Sequence, residues 1–258
     1  MRISSEDVKQ LRAAKNILEN PGITAKLTNL LGAPIEKGFD LLPSNWREKV
    51  SVATREALTV ALKGALLTME PYTEKAYPRW HKLAVTLSGG AGGVFGLPAL
   101  VIELPISTTI MLRSIADIGR SHGEMLSTDQ SQIACLEVFA LGGPSKYDNA
   151  SESGYFAVRG ALASAVTEAS EYLAEKTILE EGAPALVRLI ANIAARFQVQ
   201  VSEKAAAMAV PVIGAIGGGG INLLFIDHFQ DMSHGHFTVR KLERKYDSEL
   251  VRMTYESL

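Results

Sequence analysis

Apolar positions along the chain recur mostly at three- and four-residue steps, the period of an α-helix. Over residues 5–19, Val8, Leu11, Ile17 and Leu18 fall near one side, with Ser4 or Ser5 as a cap ahead of Glu6 and Asp7. Asn20-Pro21-Gly22 stops that run, and a shorter helix is expected over about 23–31. From Ser44 to residue 69, Trp46, Val50, Leu58, Leu62 and Leu66 recur at helical steps, and Pro71 and Pro78 break the helical pattern beyond it. Further helices are expected over 128–141, opened by the capping sequence STDQ and closed by Gly142-Gly143, and over 152–176 and 184–208. A last helical stretch covers about 221–256, with an interruption at Gly235. No stretch prefers period two, so the expected fold class is all-α. The polar segment 142–154, GGPSKYDNASESG, is the best internal loop. These elements predict a multi-helix domain over 44–258, preceded by an N-terminal helical extension over 1–43.

Two segments stand apart. Leu83 to Ile102 and Ala205 to Ile226 carry no charged residue, and each is about long enough to cross a bilayer. Both are rich in glycine, and Gly89/Gly93 and Gly214/Gly218 have the spacing that lets helices approach closely. Against spanning, Pro98, Pro105 and Pro211 interrupt the runs, aromatic belts are missing, and no basic residue follows the second run until Arg240. The leading expectation is two glycine-rich apolar hairpins packed in the core; insertion against one leaflet is the alternative. Each run is followed by an acid, Glu103 or Asp227, in matching frames: LVIE at 100–103 and LFID at 224–227, each with a glycine ten residues before the acid. This hints at an internal pseudo-repeat. It also predicts that the Glu103 helix lies beside the Asp227–Arg240 helix, with the Tyr155–Arg159 helix closing a pocket.

Composition narrows the class. At 258 residues, 47% hydrophobic and 21% charged, the chain can bury a sizeable core without staples. A net charge of −2 gives no overall pull toward nucleic acid or anionic lipid. Cys135 is the one cysteine, so no internal disulfide forms; its apolar neighbours make it a buried thiol rather than a nucleophile. The charged, amphipathic N-terminus lacks the apolar core of a secretory signal, which points to the cytoplasm or to the membrane face turned toward it.

Candidate chemistry concentrates in residues 217–237, GGGGINLLFIDHFQDMSHGHF, which hold three of the five histidines. On a helix, Asp227, Asp231 and His234 lie within about 60° of one another. Two carboxylates and an imidazole make a candidate divalent-metal set, provided a second helix completes it. Without that helix they form an ordinary wet face opposite the apolar stripe of Phe225, Phe229, Met232, His236 and Val239. His236 on that stripe reads as a hydrogen-bonded core histidine, and His228 can serve either face. Glu103 has no other charge near it from Leu83 to Leu112, and a buried carboxylate is costly unless paired. Arg113 lies about 15 Å along the axis, too far to reach it, which leaves Arg159, His228 and His234 as candidate partners. Tyr155 and Arg159 are one turn apart, and Arg159 reads either as a surface residue or as a contact for an anionic headgroup or phosphate. RKLERK, 240–245, is a solvated face or a docking site for acidic lipid. No stacking aromatics accompany it, which argues against nucleic acid. No phosphate-binding loop, nucleophile elbow, His-Glu-x-x-His or Cys-x-x-Cys is present, and the glycine runs do not follow a strand.

Three segments, ELPISTTIMLRSIADIGRSHGE (103–124), ESGYFAVRGALA (152–163) and GGGGINLLFIDHFQDMSHGHFTVRKLERKY (217–246), resemble the EcsC family of bacterial proteins. The resemblance runs over about residues 50–246. It implies a cytoplasmic, membrane-associated protein whose family namesake is encoded beside an ABC transporter, with no agreed catalytic set. The matching polar positions are Glu103, Arg113, Tyr155, Arg159, Asn222, Asp227, His228, Gln230, Asp231, His236 and Arg240. Three functions fit. The first is a membrane-peripheral accessory protein contacting lipid or an ABC transporter component. The second is a metal-assisted hydrolase, with Asp227, Asp231 and His234 as ligands and Glu103, Arg159 and His228 at the chemistry. The third is a lipid- or small-ligand-binding module lined by Arg113, Tyr155, Asn222, Gln230, His236 and Arg240. Nothing in the sequence sets the oligomeric state.

Overall fold

The computed structural model describes residues 2–19, 23, 26–28, 35–68, 97–142, 154–175, 183–210 and 214–258, and every regular element among them is helical. In chain order these are α1 (Ser5–Glu19), α2 (Glu36–Asp40), α3 (Trp46–Thr68), α4 (Leu97–Ser121), α5 (Asp129–Glu137) with a 3-10 turn (Val138–Ala140), α6 (Gly154–Glu175), α7 (Pro184–Ala209), α8 (Gly214–Lys245) and α9 (Ser248–Ser257). Residues 23 and 26–28 are helical as well. The all-α expectation therefore holds.

The starts follow local chemistry. Ser4 Oγ accepts the N–H of Asp7 at 3.2 Å and donates to its carboxylate at 2.7 Å, closing the first turn of α1. Thr128 caps α5 by accepting from Ser131 N–H, and Asp247 caps α9 by accepting from the N–H groups of Glu249 and Leu250. Pro184 opens α7, where its missing N–H costs nothing.

Three boundaries differ from the sequence expectation. Pro105 does not interrupt α4, which accommodates it inside and continues to Ser121. Gly235 does not interrupt α8; it lies in mid-helix, and a Cβ there would sit 2.7 Å from Leu18 Cγ of α1. The real break falls at Tyr246–Asp247, where the Asp247 cap starts α9. The four glycines Gly217–Gly220 lie inside α8 rather than in a turn. The hairpin expected from Leu83 onward lies outside the described residues as far as residue 96.

α8, 32 residues long, is the axis of the molecule and packs against α1, α4, α7 and α9. Its apolar stripe matches the sequence expectation: Phe225, Phe229, Met232, His236 and Val239 are all buried. Phe139, Phe197, Phe225 and Phe229 form the centre of the core, with ring centroids 4.9–6.1 Å apart and mostly tilted or edge-on. Cys135 is fully buried, and burial pushes its thiol well above the ordinary range.

α4 and α8 run parallel and in register. Asn222 meets Glu103, Gln230 donates to Ser114 at 2.8 Å, Phe237 lies over Gly119, and Arg240 meets Glu124. The sequence offset between the paired residues stays nearly constant along the contact, as two helices pointing the same way demand. At Gly119 a Cβ would stand 3.0 Å from the Phe237 ring, so the close approach needs glycine.

Two glycine substitutions test the packing in opposite directions. At Gly38 in α2 a Cβ would lie 2.0 Å from the Ala206 carbonyl oxygen, a backbone atom of α7. Gly38→Ala is expected to cost about 2 kcal/mol or more. At Gly160 in α6 nothing lies within 4 Å, so Gly160→Ala is expected to stabilise by about 0.5–1 kcal/mol. Denaturant unfolding of the two variants reads both signs.

Candidate functional site

Two polar assemblies sit along the α4–α8 seam, one near each end. The first holds Glu103. Lys204 Nζ of α7 donates to Oε2 at 2.9 Å and Asn222 Nδ2 of α8 to Oε1 at 3.0 Å. Both charged side chains are buried, Lys204 at 1% and Glu103 at 7% exposure. Lys204 also lies 5.1 Å from the centre of the Phe225 ring. The partner of Glu103 is thus Lys204, and none of Arg159, His228 or His234. The signal for it was present: Lys204 is the last charge before the uncharged run from Ala205, as Glu103 is the first after the other run.

The α4 and α8 helices are neighbours as expected, but their acids are not level. Glu103 sits beside Asn222, and Asp227 lies about 7.5 Å further along the axis. The remaining candidates on α8 also separate. Asp231 is exposed and pairs with Lys26 at 3.2 Å. His234 is exposed with its ring 5.4 Å from that of His122. Among the described residues no three His, Cys, Asp or Glu side chains gather as a metal would need, so Asp227, Asp231 and His234 do not form the expected metal set. Arg113 is exposed on α4. His228 is buried, 3.5 Å from Gln200, under Gly142, whose φ of +75° favours glycine and where a Cβ would stand 2.5 Å from the imidazole.

The second assembly is a cleft of about 320 Å³ between the α4–α5 connection, α5, α6 and the end of α8. α4 stops in a turn through Gly123, at φ +86°, which delivers Glu124 against α8. There Glu124 accepts from Arg240 Nε at 2.9 Å and Nη2 at 3.1 Å, from Arg244 Nη1, and from Ser131 Oγ at 2.8 Å. Burial alone would raise this carboxyl, but Arg240 and Ser131 overcome that and hold it below its ordinary value. On the other wall Arg159 of α6 makes a two-pronged pair with Glu243, at 2.7 and 3.2 Å.

Beneath Arg159 a buried chain runs inward. Arg159 Nη1 donates to Tyr155 Oη at 3.4 Å, and that oxygen lies 3.0 Å from His236 Nδ1. His236 Nε2 in turn faces Glu137 Oε2 at 3.9 Å. Burial drives His236 well below its ordinary pKa and raises Glu137. His236 is therefore the hydrogen-bonded core histidine that its stripe position implied.

The sequence reading missed Glu124, Glu137, Glu243 and Arg244. Arg240, Glu243 and Arg244 stand at i, i+3 and i+4 and so share a face. The RKLERK run hid this, because it reads as solvated. It is not a free basic end: Arg240 and Arg244 bind Glu124, and Lys245 binds Asp7 at 2.7 Å.

The chain belongs to the EcsC protein family, whose sequence model matches residues 5–242. The match thus begins in α1, well ahead of residue 50. No curated protein and no solved structure matches the chain.

Protonation and charge pairing can each be tested. Burial pushes His228 down to about 3 and His236 well below 6.5. The unfolded chain therefore takes up these protons first as pH falls, and stability declines from about pH 6.5 downward. Glu137, raised by burial, takes up its proton in the fold before it does in the unfolded chain and so acts in the opposite sense. Unfolding free energies at pH 7 and pH 5.5 should show the loss, and His228→Asn should reduce it. At the other assembly, Lys204→Met strands Glu103 and should cost about 3–5 kcal/mol, whereas Glu103→Leu with Lys204→Met should recover much of that. Urea denaturation of the single and double variants measures the difference.

Proposed function

We propose that the protein is a membrane-peripheral helical accessory module on the cytoplasmic face, contacting lipid or a membrane transporter component through one pole of the helix bundle. The observation that carries this reading is an exposed apolar ridge on α4, Ile102 at 74% and Ile106 at 54% exposure, one turn apart, with exposed Leu223 on neighbouring α8. Both helices present these residues at the level of the Glu103–Asn222 contact. Leu97, of the first uncharged run, and Val210 and Gly214, of the second, lie within about two turns of that level.

No helix among the described residues is long and apolar enough to cross a membrane, so the proposed contact is with the surface or one leaflet. The basic run 240–245 is not the proposed contact, because it begins about 27 Å along α8 from the Asn222 level. A hydrolytic reading draws little from the geometry: Glu103 is engaged by Lys204 and Asn222, and the metal set does not assemble.

Co-flotation with phosphatidylcholine vesicles tests the proposal. The protein should float, and Ile102→Ser with Ile106→Ser should lower the bound fraction at least tenfold, since burying each isoleucine contributes roughly 1.5–3 kcal/mol. Protein that stays at the bottom of the gradient, or floats equally well with both serines, would refute it.

A further inference from the structure

The opposite pole holds three guanidinium groups around one opening. Arg159, Arg240 and Arg244 all line the 320 Å³ cleft, and the carboxylates lining it are Glu124 and Glu243. Three cations against two anions leave one positive charge in excess. Glu124 stays ionised to low pH because Arg240 and Ser131 hold it down, so this balance persists at neutral pH. Glu137, the next acid inward, is shifted toward its neutral form by burial.

The arginines are positioned but not saturated. Each guanidinium has five N–H donors. Among the described residues Arg240 gives Nε and Nη2 to Glu124, and Arg244 gives Nη1 to Glu124 and Nη2 to the His122 carbonyl at 2.7 Å. Nη1 of Arg240 makes no bond among them. The Glu124 and Glu243 pairings fix the planes of the forks in advance, which lowers the entropic cost of engaging a ligand. The amino end of α5 contributes as well: Gln130 and Ser131 of its first turn line the same cleft, and a helix start favours negative charge.

We propose that this cleft is a binding site for a soluble phosphomonoester, its phosphate held by Arg159, Arg240 and Arg244 at the start of α5. Planar forks and a helix amino end are the donors that suit a tetrahedral dianion. The volume lies at the small end of the range for ligand sites, roughly 300–1,000 Å³, so the phosphate carries a small body. A lipid headgroup has the same chemistry but the wrong position. From Asn222 to Arg240 is about 27 Å along α8, so a bilayer touching the Ile102 pole lies far from the cleft. This site stands independently of the proposed membrane contact.

The test is calorimetry on the lipid-free full chain with phenyl phosphate and inorganic phosphate, beside sedimentation with phosphatidic acid vesicles. Saturable one-to-one binding of phenyl phosphate is expected. Arg244→Gln, at a side chain 41% exposed, should weaken it at least tenfold with the unfolding midpoint little changed. Phenyl phosphate should also shield Arg159 and Arg244 of the unaltered protein from phenylglyoxal, a readout that needs no variant to fold. No saturable binding, or binding that Arg244→Gln leaves unchanged without shielding, would overturn the site. Binding to phosphatidic acid vesicles but not to phenyl phosphate would overturn the soluble ligand.

Discussion

The register of α4 against α8 is the constraint on which the arrangement depends. Two parallel helices side by side have an apolar seam that tolerates a slip of one turn at modest cost. Here the seam carries polar contacts at Glu103–Asn222, Ser114–Gln230 and Glu124–Arg240. A slip of about 5.4 Å would break all three at once and take the Asn222 amide away from the buried Glu103 carboxylate. Buried ion pairs add little net stability, because desolvation offsets their attraction. Their effect is selective: they make wrong registers expensive. The Glu103–Lys204–Asn222 contact also ties in α7, so one carboxylate fixes three helices relative to one another.

The same register places the second assembly. Once α4 is fixed beside α8, its end at Ser121 is fixed, and the Gly123 turn can bring Glu124 only to the last two turns of α8. Arg240 and Arg244 wait there one turn apart. α6 is held from another direction: Glu19 at the end of α1 accepts from the N–H groups of Gly154 and Tyr155, and from Tyr255 Oη at 2.9 Å. A carboxylate at a helix amino end is a favourable cap. It sets the first turn of α6, which aims Tyr155 at His236 and Arg159 at Glu243. The cleft is therefore a consequence of three helix ends being pinned, and α1 is one of the pins.

Much of this was legible in the sequence, and what was not has physical causes. The helices were readable because their apolar positions keep the helical period, and the caps at Ser4 and Thr128 have short polar side chains in the right place; the Asp247 cap was missed because the helical period continues on both sides of it. The stripe through Phe225, Phe229, Met232 and His236 predicted the buried side of α8 and the state of His236. Gly235 misled because a glycine costs a helix about 1 kcal/mol; only the incoming Leu18 side chain explains why it is there, and that contact spans most of the chain. Asp231 and His234 misled because shared helical face is necessary for a metal set but not sufficient. What meets Asp231 among the described residues is Lys26, a cation and not a further ligand. Matching the acids Glu103 and Asp227 by local frame also misled: the frames are offset by 124 residues, whereas Glu103 and Asn222 differ by 119.

The two ends of the seam differ in a way that bears on how such a molecule is used. Around Glu103 the charge is internal, neutralised within the bundle, and the surface outside it is Ile102, Ile106 and Leu223. Around Glu124 the charge is at the surface, in excess by one cation, and open to a cleft. An apolar exterior over a satisfied polar interior suits contact with something that excludes water. A polar opening over a buried Tyr155–His236–Glu137 chain suits an ion taken from water. Both ends share α4 and α8 as rigid struts. A ligand that changed how Glu124 holds Arg240 would press on the end of the same helix pair whose other end carries the ridge. Coupling between them requires that seam to have two registers or two tilts of similar energy. The polar contacts along it disfavour the first, so any coupling in this fold has to pass through tilt.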